Sequence, residues 1–188
     1  ASLDDLLSNQ EKKDFEKLVG MNHSLAQTVK QCKATISYPP NGLPMLLYGP
    51  TGTGKSLIAK LTYEWARNHG VIAKDGQFVQ VNCSEYANNP ELLTANLFGH
   101  VKGAFTGAEK DNEGLIALAD NGVLFLDEVH ELKAECQEKL FLFMDQGIYH
   151  RVGDNEKWYK SNVRIVFATT ENPDKVLLKT LMRRIPMT

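Results

Sequence analysis

The sequence predicts an α/β fold built on a parallel sheet, and three features carry that prediction. Short apolar runs such as Val123-Leu124-Phe125-Leu126 recur along the chain, stretches of helical spacing separate them, and glycine, proline or acidic residues mark the junctions. A strand buried on both faces reads as a continuous apolar run. Strands that alternate with helices imply βαβ units and a sheet covered on both sides.

Taken in order, residues 3–18 are charged and helical in pattern, with apolar Leu3, Leu6, Leu7, Phe15 and Leu18. Positions 1–17 read as an N-terminal helical linker and 18–188 as one folded domain. A second helix is expected over 24–36, broken by Tyr38-Pro39-Pro40-Asn41-Gly42. Met45-Leu46-Leu47-Tyr48 reads as a buried strand, followed by a glycine-rich loop and a helix over 55–68. Phe78-Val79-Gln80-Val81-Asn82 is strand-like, and Pro90 suits the first turn of the next helix. Residues 123–126 form a strand ending in acids, 134–146 an amphipathic helix stopped by Gly147, and 163–169 a further strand. Residues 99–114 break the rhythm: glycine-rich, yet carrying Phe105 in the middle. A loop that long inside a compact domain is usually functional or disordered.

A length of 188 residues suits one sizeable domain, with 43% hydrophobic and 23% charged residues. The formal charge of −2 and the absence of a basic run argue against a domain that holds DNA alone. Any DNA contact is expected from another module. Cys32, Cys83 and Cys136 form no CxxC pair and read as reduced thiols rather than a disulfide or zinc framework. No apolar stretch approaches the roughly 20 residues of a membrane span, and no signal peptide is visible. A cytoplasmic location is expected. The ends, Ala1-Ser2-Leu3 and Pro186-Met187-Thr188, read as cuts within a longer polypeptide.

Gly49-Pro50-Thr51-Gly52-Thr53-Gly54-Lys55-Ser56 fits the phosphate-loop pattern G-x-x-x-x-G-K-[ST], between an apolar strand and a helix. The glycines let backbone N–H groups turn inward around phosphates, and the helix N-terminus adds positive potential. Lys55 is expected on the β- and γ-phosphates of ATP and Ser56 on Mg²⁺. Asp127 and Glu128 follow the apolar strand at its C-terminal end, where open α/β sheets place ligands. Asp127 suits the hydrated Mg²⁺ and Glu128 the polarisation of the attacking water. The plainer alternative for this pair is a set of helix-capping acids.

Gly103-Ala104-Phe105-Thr106-Gly107-Ala108 spells GAFTGA inside the anomalous loop. Asn96-Leu97-Phe98-Gly99-His100 precedes it, and the run from Ala119-Asp120-Asn121-Gly122 to Asp127-Glu128 follows. On these residues the chain resembles the ATPases of sigma-54-dependent transcription activators, the NtrC-like branch of AAA+, from about position 18 to the end. The resemblance implies a P-loop three-layer sandwich whose helical lid subdomain is missing from this chain. It implies an ATPase that works as a ring, expected to be a hexamer, and remodels sigma-54 RNA polymerase so that a promoter opens. Phe105 and Thr106 inherit the contact with sigma-54; the alternative for Phe105 is a plug folded back into the core.

Further residues take their roles from the same resemblance. Asn82 matches the asparagine that pairs with the acid at Glu128 in one nucleotide state and releases it in another. An ordinary strand-end turn is the alternative. Val19 and Gly20 match an adenine-contacting start of the domain, or plain core. Thr170 stands at the sensor position, where many relatives carry asparagine, so its hydroxyl has a different reach. Arg183 and Arg184 lie where a trans-acting arginine finger is expected, with a solvated basic pair as the alternative. Pro50, Thr170 and Arg183-Arg184-Ile185-Pro186 resemble one subgroup, the LevR-like activators controlled by sugar phosphotransferase-system domains. Two rivals remain at this stage: another AAA+ remodeller, and a nucleotide switch that barely hydrolyses.

Overall fold

Apolar residues at every position of Val123 to Leu126 leave that strand no solvent face, so it must run inside a sheet covered on both sides. The computed structural model, which describes residues 23–50, 54–177, 181 and 185, shows this arrangement. The segment 1–17, Val19-Gly20, Thr51 to Thr53 and Arg183-Arg184 lie outside the described residues.

The elements are α1 (His23–Ser37), β1 (Met45–Tyr48), α2 (Lys55–Asn68), β2 (Phe78–Asn82), α3 (Pro90–Phe98), α4 (Leu115–Leu118), β3 (Val123–Asp127), α5 (Ala134–Gln146), β4 (Ile148–Tyr149), β5 (Tyr159–Lys160), β6 (Arg164–Thr169) and α6 (Pro173–Val176). Single 3₁₀ turns, Cys83–Tyr86 and Val129–Glu131, follow β2 and β3. Among the described residues the main sheet has the order β1-β6-β3-β2, and every neighbouring pair is parallel.

The period of two along each strand divides the core. Val123 and Phe125 of β3, Val166 and Ala168 of β6, and Met45 and Leu47 of β1 pack with α1 and α2. Leu124 and Leu126, Ile165 and Phe167, and Leu46 face the other way, onto α3, α4 and α5. Two buried cores on opposite faces make the three-layer sandwich that the sequence implied. The burial of Phe125, Phe167 and Phe98, each fully enclosed, stabilises it by about 1.5–3 kcal/mol per side chain.

The expected helix over 24–36 begins one residue earlier and ends one later, and the strand over 123–126 runs on to include Asp127. The helices over 55–68 and 134–146 stand as expected. Helix α5 ends where Gly147, at φ 72°, donates its amide back to the Phe143 carbonyl at 2.7 Å.

Two features were not legible in the apolar pattern. Helix α4 is a single turn, and β4 and β5 form a two-residue antiparallel ladder, Ile148 with Lys160 and Tyr149 with Tyr159. Neither is long enough to establish a periodicity. The hairpin is nevertheless well built: Tyr149 stacks on Tyr159, and the Arg151 guanidinium lies 4.3 Å from the Tyr159 ring centre.

Candidate functional site

Because the strands are parallel, β1, β6, β3 and β2 all deliver their C-termini to one end of the sheet. The residues that leave there are Gly49 after β1, Thr170 after β6, Asp127 and Glu128 at the end of β3, and Asn82 at the end of β2. Strand β6 alone separates β1 from β3, which at the usual inter-strand spacing places those two ends about 10 Å apart. That span suits one nucleotide phosphate tail between them.

The phosphate loop opens with Gly49, whose amide donates to the carbonyl of Thr169 at 3.3 Å. Gly54, at φ 83°, precedes α2, and among the described residues no side chain caps that helix. The N-terminal end of a helix presents backbone N–H groups and positive potential, which suits an anion. The Lys55 ammonium donates to the carbonyls of Gly49 at 2.7 Å and Pro50 at 3.0 Å. Ser56 is exposed in the same turn. Thr51, Gly52 and Thr53 complete the loop outside the described residues.

Asp127 closes β3, and its Oδ1 accepts the amide of Glu128 at 2.9 Å. Glu128 itself sits at φ 55°, ψ 46°, a left-handed conformation that costs a non-glycine residue about 1–2 kcal/mol. The Asp127 bond and the turn closed by Glu131 N–H on the Glu128 carbonyl, at 3.1 Å, hold it there. This strained corner turns the carboxylate toward β6. Thr170 Oγ1 donates to Glu128 Oε2 at 3.5 Å, so the expected water activator and the expected sensor are in direct contact.

Asn82 is the register partner of Asp127 across β2 and β3. Its Oδ1 accepts from the Ser84 amide at 3.1 Å and the Ser84 hydroxyl at 2.7 Å, capping the turn Cys83–Tyr86. The Asn82–Glu128 bond expected in one nucleotide state is not the arrangement seen here. Asn82 faces its own turn, and Glu128 faces Thr170 and His130. The plainer turn reading of Asn82 thus describes this structure.

His130 was not singled out from the sequence. Its Nδ1 lies 3.3 Å from Thr169 Oγ1 and its Nε2 lies 3.4 Å from Glu128 Oε2. The available signal was a polar ring two residues beyond a strand-end carboxylate, which only the turn Val129–Glu131 brings back onto the site. Behind the acids, burial pushes the Cys83 thiol up to about 12, and the neighbouring Cys136, Asp127 and Glu128 add to the shift.

No cluster of three or more His, Cys, Asp or Glu side chains able to hold a metal occurs among the described residues. The donor set still fits Mg²⁺, which takes one or two protein oxygens and completes its shell with phosphate and water. Ser56, exposed, and the second oxygen of Asp127 are the groups that could supply the protein's share.

The expected partner loop, residues 99–114, is an ordered excursion with a closed base. His100 pairs with Asn112 through both backbone bonds, at 3.0 and 2.8 Å. Gly99 and Gly114 meet so closely there that a Cβ on Gly114 would stand 2.3 Å from the Gly99 nitrogen. At the tip, the Gly103 amide donates to the Ala108 carbonyl at 2.9 Å, joining the first and last residues of GAFTGA. Between them, Phe105 is 39% exposed and meets the His100 ring edge-on at 4.9 Å. The plug alternative is not what this structure shows. Thr106 and Gly107 are exposed beside it, Ala104 is half-buried, and Ala108 is buried.

The loop base also joins the hairpin: Val101 N–H donates to the Val152 carbonyl at 3.1 Å, and Val152 N–H to the Gly99 carbonyl at 2.9 Å. On its other side it continues α3, where Asn96 Nδ2 donates to the Tyr86 hydroxyl at 3.0 Å. A continuous set of contacts therefore runs from the Asn82-capped turn through α3 to the loop.

Comparison with known proteins bears on the same residues. The family described as "Sigma-54 interaction domain" matches residues 18–185. The transcriptional regulatory protein LevR of Bacillus subtilis is 51% identical over 174 residues, 93% of this chain and 19% of that protein. DagR of Salmonella typhimurium is 45% identical over 173 residues, 91% of this chain and 18% of the relative. A Nif-specific regulatory protein of Rhodobacter capsulatus is 39% identical over 166 residues, 88% of this chain and 27% of the relative. The chain thus spans about a fifth to a quarter of the length of these curated relatives. Among solved structures, NtrX from Brucella abortus aligns at a TM-score of 0.68 and 28% identity, covering 94% of this chain and 38% of NtrX. NtrX in complex with ATP aligns at 0.65 and 27%, covering 85% and 33%.

Proposed function

Since the chain belongs to the Sigma-54 interaction domain family, we propose that it is the ATP-hydrolysing motor of a transcription activator that remodels sigma-54 RNA polymerase through the GAFTGA loop. The observation that carries the reading is a division of labour in space. Lys55, Asp127, Glu128 and Thr170 gather at one end of the parallel sheet, while Phe105 and Thr106 stand exposed on a braced excursion.

The proposed chemistry follows from these positions. Lys55 exchanges its bonds to the Gly49 and Pro50 carbonyls for phosphate oxygens of ATP, and the N-terminal turn of α2 adds positive potential. Ser56 and Asp127 would hold Mg²⁺, which would supply charge neutralisation on the phosphates. Glu128 accepts the proton of the water that attacks the terminal phosphorus, and the bond to the bridging oxygen of ADP breaks. Thr170, bonded to Glu128, stands where it meets the terminal phosphate and senses its loss.

On this reading Asn82 leaves Ser84 for Glu128 in one nucleotide state, and the change passes along α3 to the loop base. Val19 and Gly20 contact adenine, and Arg183 or Arg184 reaches the ATP of a neighbouring subunit in a ring, expected to be a hexamer. DNA is held by another module, and the protein works in the bacterial cytoplasm. In the described residues, no helix is long and apolar enough to cross a membrane.

The test is capture of sigma-54 in the presence of an ATP transition-state mimic. Wild-type protein is expected to retain sigma-54 only with the mimic, and Thr106→Ala is expected to lose that retention while hydrolysing ATP. Loss of ATP binding in Thr106→Ala, or equal retention with and without nucleotide, contradicts the reading.

A further inference from the structure

We infer that His130 is a positioning residue for Glu128, held in the working tautomer by Thr169, so that one carboxylate oxygen is fixed and the other is left for the attacking water. The inference rests on the proposed role of Glu128 and adds to it a residue that role does not require.

The hydrogen bonds around Thr169 constrain where the ring proton of His130 sits. Thr169 is fully buried, and its hydroxyl accepts the Glu171 amide at 3.0 Å. The single hydroxyl proton has two acceptors in reach, the Glu171 carbonyl at 3.3 Å and His130 Nδ1 at 3.3 Å. If it goes to the carbonyl, Nδ1 must carry the ring proton, and a neutral ring then turns the Nε2 lone pair on Glu128 Oε2 at 3.4 Å. Two lone pairs facing each other at that distance repel. If the hydroxyl proton goes to Nδ1, Nε2 carries the N–H and donates it to Glu128. The chain Glu171 N–H to Thr169 O–H to His130 to Glu128 is then satisfied at every step, so this is the favoured arrangement of a neutral ring; a doubly protonated ring donates to Glu128 from the same Nε2–H.

Its consequence is geometric. Two donors, His130 Nε2 at 3.4 Å and Thr170 Oγ1 at 3.5 Å, converge on the same oxygen, Oε2. Oε1 keeps its acceptor capacity for water. The other charged group facing the ring is Glu131, whose Oε1 is farther from Nε2, at 3.7 Å. A backbone corner at φ 55° already aims the Glu128 side chain, and the imidazole removes the rotation that remains. Outer-shell groups that orient the ligands of a metal site are typically worth about 10–100-fold in activity, and the same scale is expected for a group that orients a catalytic carboxylate.

The experiment is steady-state ATP hydrolysis with the protein produced from its complete gene, alongside binding of a fluorescent ATP analogue. His130→Ala is expected to lower kcat about 10–100-fold with nucleotide affinity unchanged. His130→Gln places an amide N–H near Nε2 and is expected to recover most of the rate. His130→Asn, whose amide reaches only the Nδ1 position, is not. This pair keeps the inference testable if the alanine variant folds poorly. Thr169→Val is expected to lower kcat in the same direction, and adding it to His130→Ala to change little. In a Glu128→Gln background, His130→Ala is expected to have no further effect.

A kcat within about twofold of wild type for both His130→Ala and His130→Asn overturns the inference, since the expected loss is at least tenfold. So does a His130→Ala loss that multiplies onto that of Glu128→Gln. The two readings fail separately. If Glu128→Gln hydrolyses ATP normally, the role proposed for Glu128 falls; if Glu128→Gln is inactive and His130→Ala is normal, only the role of His130 falls.

Discussion

The amide of Gly49 donates to the carbonyl of Thr169 at 3.3 Å, so the phosphate loop and the sensor segment leave the sheet side by side. One strand further along, β3 delivers Asp127 and Glu128 to the same end. The start of the phosphate loop, Asp127, Glu128 and Thr170 are thereby set at one end of the sheet by strand order, where the proposed cradle, metal ligand, base and sensor can share one ligand.

Binding and chemistry should separate within that volume. Glu128→Gln keeps the shape and the Thr170 contact but removes the proton acceptor. It is expected to bind ATP with wild-type affinity and lower kcat by about 10²–10⁴. Lys55→Ala deletes the cation proposed to meet the phosphates and is expected to lose binding itself. Phosphate release together with fluorescent-nucleotide titration reads both. Normal turnover in Glu128→Gln assigns the base elsewhere.

Phe105 offers a second separation. Its ring is 39% exposed and its aromatic partner is His100, so Phe105→Ala removes little packing. Thermal stability and basal ATP hydrolysis are expected to change little. As the apolar anchor of an interface, the same side chain is expected to contribute about 2 kcal/mol or more, a loss of roughly 30-fold in sigma-54 affinity. Affinity measured with the transition-state mimic checks this, and an unchanged value removes Phe105 from the interface.

Much of this was legible in the sequence because its signals are local. Four consecutive apolar residues announced β3, and a glycine loop before a lysine announced the start of α2. What escaped depends on contacts across the chain. His130 reaches Thr169, 39 residues away, only after a turn of three residues. The hairpin β4–β5 is two residues deep, yet the loop between its strands bonds to Gly99 and Val101 and so braces the base of the excursion. Asn82 was expected to bond Glu128 in one nucleotide state and release it in another; a strand-end asparagine also caps the next turn, and here its Oδ1 accepts from the Ser84 amide and hydroxyl. That local bond depends on the turn after β2.

The three cysteines give a prediction in pH. Burial pushes Cys32 and Cys136 up to about 11 and Cys83 to about 12, from an ordinary value of 9.0. The folded protein keeps these protons where the unfolded chain has lost them, so their contribution is complete below pH 9 and is lost as pH rises toward 11 and 12. Each thiol removes up to about 1.4 kcal/mol of stability per pH unit across that window. Urea midpoints at pH 8 and pH 10 are expected to show the fall. At pH 8 the native thiols are expected to react with a disulfide reagent far more slowly than in urea. Reaction at the unfolded rate contradicts their burial.

Two glycines of the excursion should respond very differently to the same substitution. Gly114 has φ 84°, and a Cβ there would stand 2.3 Å from the Gly99 nitrogen and 2.7 Å from the Phe98 carbonyl carbon, all backbone. Alanine at this position meets both a backbone conformation, φ 84° and ψ 168°, that is essentially glycine's alone, about 1–3 kcal/mol, and an overpacked contact, about 1–3 kcal/mol. Gly103 has nearly the same φ, 83°, but nothing lies within 4 Å of its absent Cβ. Gly103→Ala therefore meets the conformational term alone. Urea unfolding is expected to place Gly114→Ala about 2–6 kcal/mol below wild type, the sum of those terms, and Gly103→Ala clearly above it. If the two variants lose equal stability, the base of the excursion is not the tight crossing that these distances describe, and the loop is braced some other way.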